Sequence, residues 1–367
     1  MGFLSLKLYN FRNLENAAVS FHAPEVFLVG ENGQGKTNCI EAIYLLCYGS
    51  SFRTGNFRDM ISLTHETAAV TGSMTGQNNS MREVTVSLSR KDKKEIHTDG
   101  KRITDRKDML YYMPCVVFAH DDLDFVTGSP GMKRHFFNQT LCMYDPQYLA
   151  VFRDFMKVLS TRNLLLRQQN RDLCGVYSGK LAEYGFYLQQ KRTDMILVFN
   201  QIFSRYFQRV SKLPSCVRIV YKASWSSCTN VEECLAMLER QTERDFQNGS
   251  TFSGPHRDNF LFLYEDADFC SIASTGQLRL LSIMLRVAQA HFFMTYTHKK
   301  PLLLLDDVLL ELDRGRRDLF LENLPEYEQA FFTFLPDEDY NVFRKQSTEI
   351  LRVEKGKLEP WKRPEIF

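Results

Sequence analysis

The sequence predicts an α/β protein: a mixed sheet with an antiparallel subsheet, split into two halves by an inserted helical domain. Three observations predict it. An apolar stretch, VFLV at 26–29, runs into GENGQGKT and then CIEAIYLLCYG, which reads as strand, glycine loop and buried helix. A second apolar run, PLLLLDD at 301–307, reads as a buried strand ending in two acids. Between them, from about Gln147 to Leu213, helix formers carry apolar residues at three- and four-residue spacing with no proline.

The remaining elements follow in order. Residues 3–11 alternate as a strand; 68–74, 84–90 and 94–104 add antiparallel strands, the last two-stranded around an Asp99-Gly100 turn. Residues 116–118 form a short buried strand, a helix runs from Gln277 to about Thr295, and 302–305 and 330–334 are buried strands. The domains read as 1–125, the first half of the head; 126–245, the helical insert or lid; and 246–367, the second half.

With 367 residues, 44% hydrophobic and 25% charged, the chain is long enough for two or three packed domains and too apolar for disorder. Its net charge of +2 places any nucleic-acid surface in a local patch. The nine cysteines form no C-x-x-C pair, which argues for reduced thiols over disulfides or zinc. The start MGFLSL has Leu6 where myristoylation wants Ser or Thr, and it does not read as a signal peptide. The longest apolar run, broken by acids, is too short to span a bilayer. These features predict a cytoplasmic chain without a membrane span.

The chemistry concentrates in three motifs. In GENGQGKT, spanning Gly30, Glu31, Asn32, Gly33, Gln34, Gly35, Lys36 and Thr37, glycines turn backbone N–H groups toward phosphate oxygens, and the next helix aims its positive end at them. Lys36 reaches the β- and γ-phosphates of ATP and the Thr37 hydroxyl holds Mg²⁺. Asp306 is placed to hold the same Mg²⁺, and Asp307 to orient or deprotonate an attacking water. The third motif, STGQ with Ser274, Gly276 and Gln277, opens an amphipathic helix. Alone it reads as an ordinary cap. Its place shortly before the acid-tipped strand, however, is the order used by ABC-type ATPases, in which this signature caps the γ-phosphate held by the partner subunit.

Beyond these motifs, NFRN (10–13), SSFRT (50–54), GSPGMKRHFFN (128–138), LSTRNLLLR (159–167), SGPHRDN (253–259), LLLLDDVLLELD (302–313) and VEKGK (353–357) resemble the RecF family, the bacterial recombination-mediator ATPases within the ABC/SMC-like group. The resemblance covers nearly the whole chain. It implies an ABC-type P-loop ATPase head with a helical lid, working as an ATP-dependent homodimer. It places Arg12 and Asn13 near the nucleotide, Asn32 at the γ-phosphate, Asp313 in the D-loop and Asp121, after His120, in the Q-loop. It further implies binding to double-stranded and gapped DNA, RecR and RecO as partners, and RecA loading at gaps, with roles in fork maintenance and SOS induction.

Several residues depart from the pattern. Asp307 stands where ABC proteins carry Glu, Leu310 where the D-loop has a small Ser, and Asn138 where Asp is usual. The switch region FFTFLP lacks a histidine, so the γ-phosphate sensor is unassigned. Slow, DNA-stimulated hydrolysis is the expectation, with a non-hydrolysing ATP-sensing adaptor as the alternative and an ABC transporter subunit a weaker one. Basic residues cluster at 90–94, 101–107, Lys133-Arg134 and along the insert at Arg162, Arg167, Arg171, Lys191, Arg192, Arg205, Arg209 and Lys212. Any of these clusters is a candidate phosphate contact.

Overall fold

A computed structural model describes residues 2–361 apart from 76–79, 92 and 106. Contacts divide the chain into two compact units, residues 1–121 with 298–367, and residues 122–297. The second boundary differs from the sequence expectation: residues 246–297, signature motif included, belong to the helical unit. The reason is non-local pairing. Strand Asn259–Tyr264 is antiparallel to Val217–Lys222, across a separation that local composition does not reveal.

The first unit holds two sheets. One is antiparallel, in the order Ala17–Ser20, Gly2–Tyr9, Thr67–Thr75, Met81–Ser89, Lys93–Thr98, Lys101–Ile103. Its last hairpin turns at Asp99 (φ 51°) and Gly100 (φ 75°), the paired positive values a two-residue hairpin favours. The other sheet has the order Lys357–Pro360, Thr348–Glu354, Glu25–Val29, Gln329–Phe334, Leu302–Leu305, Cys115–Phe118, and is parallel except at Lys357–Pro360. Parallel strands are covered on both faces, so their sequences run apolar where the antiparallel ones alternate.

The phosphate-loop helix Lys36–Tyr48 packs with both sheets. Ile40, Ile43 and Leu46 share one core with Leu6, Val70 and Val86 of the antiparallel sheet and with Val26, Leu28 and Leu304 of the parallel one. Each Leu or Ile buried this way contributes about 1.5–3 kcal/mol. The helix is therefore apolar on nearly all sides, as its sequence shows.

The second unit is mainly helical. The proline-free stretch forms two helices, Pro146–Arg167 and the 41-residue Arg171–Ser211. The break comes at Gln169 (φ 56°), after which Asn170 caps the next helix by accepting from Leu173 N–H at 3.2 Å. The signature helix Thr275–Thr297 packs on the long helix, with Phe199 and Phe292 ring centroids 5.7 Å apart. All nine cysteines are free; six are buried, Cys142 and Cys270 half-buried and Cys216 exposed.

Candidate functional site

The strand Glu25–Val29 delivers the chain to the glycine loop, where Gly33 (φ 77°) and Gly35 (φ 118°) adopt left-handed backbone. At Gly35 a Cβ would also meet the Leu14 side chain at 2.7 Å, so a larger residue is excluded by both angle and space. No side chain caps the helix that starts at Lys36, and its first N–H groups keep their positive partial charge for an anion. Lys36 is buried; its Nζ donates to the Gly30 carbonyl at 2.8 Å and the Glu31 carbonyl at 3.2 Å. Asn13 stays close, donating to the Gly33 carbonyl at 3.0 Å and accepting from Asn38 at 2.6 Å. Glu31, Asn32 and Gly33 are exposed at the rim.

Four buried leucines carry Asp306 to the same place, and its N–H is anchored to the Phe118 carbonyl at 2.9 Å. Thr37 Oγ1 donates to Asp306 Oδ1 at 3.0 Å across 269 residues of chain. Burial, and then the charge of Asp307, push the Asp306 carboxyl up to about 7, against the lowering pull of Thr37, Arg53 and Lys36. A hydroxyl and a carboxylate oxygen in contact, with negative charge in excess, are the hard oxygen donors that suit Mg²⁺.

Asp307 sits in left-handed backbone (φ 53°), unusual for a residue with a side chain. Thr333 holds it there. The Thr333 hydroxyl accepts from Asp307 N–H at 2.7 Å and donates to Asp307 Oδ1 at 2.8 Å, with Asp306 Oδ1 at 3.4 Å. Thr333 is thus the polar contact that strand Gln329–Phe334 supplies to both acids. The sequence signal for it was one hydroxyl inside FFTF.

Arg12 is committed differently. Its Nε and Nη2 form a two-pronged pair with buried Glu41 at 2.8 Å each, and its Nη1 donates to the Asp59 carbonyl at 2.5 Å. Ser51 also donates to Glu41, and Arg53 bonds Asn38 at 2.8 Å. Arg12 therefore braces the phosphate-loop helix through Glu41, a residue that the motif reading passed over.

In the second unit the signature forms a reciprocal cap. Ser274 N–H donates to Gln277 Oε1 at 2.8 Å, and Gln277 N–H donates to Ser274 Oγ at 3.3 Å. Ser274, Thr275 and Gly276 are exposed. Asp313, in the first unit, likewise caps Arg314–Glu322 by accepting from Arg316 N–H at 3.0 Å. His120 and Asp121 are exposed, whereas Asp122 is buried and accepts from Arg286 at 2.7 and 3.1 Å. Arg286 on an otherwise apolar helix face was the available signal.

The structure thins the list of basic candidates. Arg162 is fully buried, donating to Asp245 (2.8 Å), Thr251 (2.6 Å) and Ser178 (2.9 Å). Arg192 is buried against Asp258 (2.6 Å), the Pro255 carbonyl and Asn138. Asp258 also accepts from Tyr221 and from Ser224 N–H at 2.7 Å, so GPHRD is a structural hub. Lys133 is buried over the Phe262 ring. Lys191 pairs with Asp145 at 3.1 Å and Arg171 with Glu243 at 2.6 Å. Lys101, Arg102, Arg205, Arg209 and Lys212 are exposed, as is Arg167, which donates weakly to the Gly249 carbonyl. Asp92 and Arg106 of the predicted clusters lie outside the described residues.

A glycine loop feeding a buried helix, its threonine bonded to the acid at the tip of a neighbouring parallel strand, defines a P-loop nucleotide-binding head of the ABC/SMC type. The RecF/RecN/SMC N terminal domain matches residues 3–357. The DNA replication and repair protein RecF of Treponema pallidum (strain Nichols) is 40% identical over 347 residues, 95% of this chain and 98% of the relative. The RecF of Clostridioides difficile (strain 630) is 30% identical, covering 96% of each chain. The solved structure of the recombination mediator protein RecF-ATP in the RecFOR pathway superposes with a TM-score of 0.89 at 25% identity, covering 98% of each chain. The Pyrococcus furiosus Smc head domain, at TM-score 0.56 and 16% identity, shares the fold. The chain belongs to the RecF family. No helix among the described residues is long and apolar enough to cross a membrane.

Proposed function

We propose that this chain is a cytoplasmic ATP-driven DNA clamp of recombinational gap repair, which helps RecO and RecR load RecA at single-strand gaps and thereby supports replication forks and SOS induction. The contact that carries the nucleotide part is Thr37 to Asp306, 3.0 Å apart beside the Lys36 loop. The RecF-ATP structure and its place in the RecFOR pathway support ATP and the partners. The family names of the relatives support the repair role.

In this reading the loop N–H groups and Lys36 bind the phosphates, Thr37 and Asp306 hold Mg²⁺, and Asp307, steadied by Thr333, orients the attacking water. Mg²⁺ supplies charge neutralisation between the phosphates when bound. Ser274, Gly276 and Gln277 of a second copy cap the γ-phosphate, and Asp313 couples the two sites. The exposed Lys101, Arg102, Arg205, Arg209 and Lys212 supply non-specific contacts to DNA phosphates. Asp307, one methylene shorter than Glu and held by Thr333, favours slow turnover, so ATP binding closes the clamp and hydrolysis opens it.

The test is solution mass with ATP and Mg²⁺, with and without duplex DNA, for wild type, Ser274→Arg and Ser274→Ala. The alanine variant loses the cap but adds no bulk. Dimers in wild type, weaker dimers in Ser274→Ala, which lacks the hydroxyl that would meet the γ-phosphate, and Ser274→Arg binding ATP as a monomer and releasing DNA support the clamp. Identical behaviour of all three reduces STGQ to a helix cap.

A further inference from the structure

We propose that Gln34 and the turn of Glu354–Lys357 form a latch that fixes the shape of the phosphate loop and so sets its affinity for nucleotide, an inference resting on the nucleotide reading above. Strand Thr348–Glu354 lies parallel to the strand that feeds the loop, pairing Leu351 with Leu28 and Arg352 with Val29. Its hairpin therefore turns directly behind the loop. The turn residues Lys355 (φ 49°) and Gly356 (φ 83°) have the two positive angles of a tight hairpin.

Three hydrogen bonds close the latch. Lys355 N–H donates to Gln34 Oε1 at 2.6 Å, Gly356 N–H to the Gln34 carbonyl at 3.0 Å, and Glu15 N–H to the Gly356 carbonyl at 2.9 Å. The approach is so close that a Cβ at Gly356 would lie 2.2 Å from the Asn13 carbonyl. Asn13 in turn holds the Gly33 carbonyl. The carbonyl and N–H of a trans peptide point in opposite directions. Tying the Gln34 carbonyl back to Gly356 thus aims the Gly35 N–H away from the hairpin, into the concavity that receives phosphate. The Gln34 side chain faces the hairpin, so it acts on the nucleotide through the loop: it is a positioning residue.

The experiment compares wild type, Gln34→Ala and Gln34→Glu. It measures amide hydrogen exchange of residues 30–37 without nucleotide, binding of a fluorescent ATP analogue with Mg²⁺, and melting temperature. Loss of one such bond predicts faster loop exchange and roughly five- to tenfold weaker binding in Gln34→Ala, with the melting temperature lowered by no more than about 2–4 °C. Gln34→Glu retains an oxygen to accept from Lys355 and recovers slow exchange. Unchanged exchange in Gln34→Ala, or equal exchange in the two variants, overturns the latch. Wild type failing to bind the analogue refutes the nucleotide reading instead, and the exchange comparison still decides the latch.

Discussion

The unit of residues 122–297 and the head formed by 1–121 and 298–367 both bury matched charge, as Arg12 and Glu41 show in the head, but the head also leaves two acids unmatched. In the first, three buried arginines each meet an aspartate: Arg162 with Asp245, Arg192 with Asp258, Arg286 with Asp122. In the second, Asp306 and Asp307 stand side by side, one pushed up to about 7 and the other in left-handed backbone. Matched charge builds structure; negative charge left in excess beside a strained neighbour is what a cation would complete.

The sharpest way to break this comparison is to unmatch a matched pair. Asp258→Ala strands Arg192 in the interior and is expected to cost about 3–5 kcal/mol in urea unfolding. Next comes a pH test of the same unit. Burial, with Arg257, Arg134 and Arg162 adding to it, lowers the His256 imidazole to about 4, while its Nε2 donates to the Thr251 carbonyl. A histidine held neutral in the fold but protonated when unfolded costs stability as pH falls from about 6.5 to 4. Wild type then loses about 2–3 kcal/mol that His256→Gln keeps, read from urea midpoints across that window. In the head the sign reverses. Asp306→Asn relieves like charge and raises stability by on the order of 1 kcal/mol in Mg²⁺-free buffer, while Mg²⁺-dependent ATP binding is lost. The smallest effect belongs to the exposed Arg171–Glu243 pair, where Arg171→Ala leaves the melting temperature unchanged within error.

How far the sequence reached follows the range of the interactions. The glycine loop and the acid-tipped strand are local patterns, and each was legible by itself. Their meeting, Thr37 against Asp306, was legible only because the motif pair implies it. Thr333 was not, because one hydroxyl in an apolar strand differs little from a β-branched core residue. The buried arginines misled for another reason. Basic residues on a long helix suggest a solvated face, yet Arg162 falls on the stripe of Phe155, Val158, Leu159, Leu165 and Leu166. Arg192 falls on that of Leu188, Met195, Ile196 and Phe199. Helical spacing therefore carried the answer that residue type obscured.

The strand that feeds the phosphate loop has both its sheet neighbours, Gln329–Phe334 and Thr348–Glu354, near the other end of the chain. Ribosomes add roughly 5–20 residues per second, so the 300 residues from Val29 to Gln329 take about 15–60 s to appear. Through that interval the strand that feeds the loop has neither of its parallel partners, and the helical unit is synthesised first in full. Competence to hold nucleotide therefore comes late in synthesis, and a chain that stops early never acquires it.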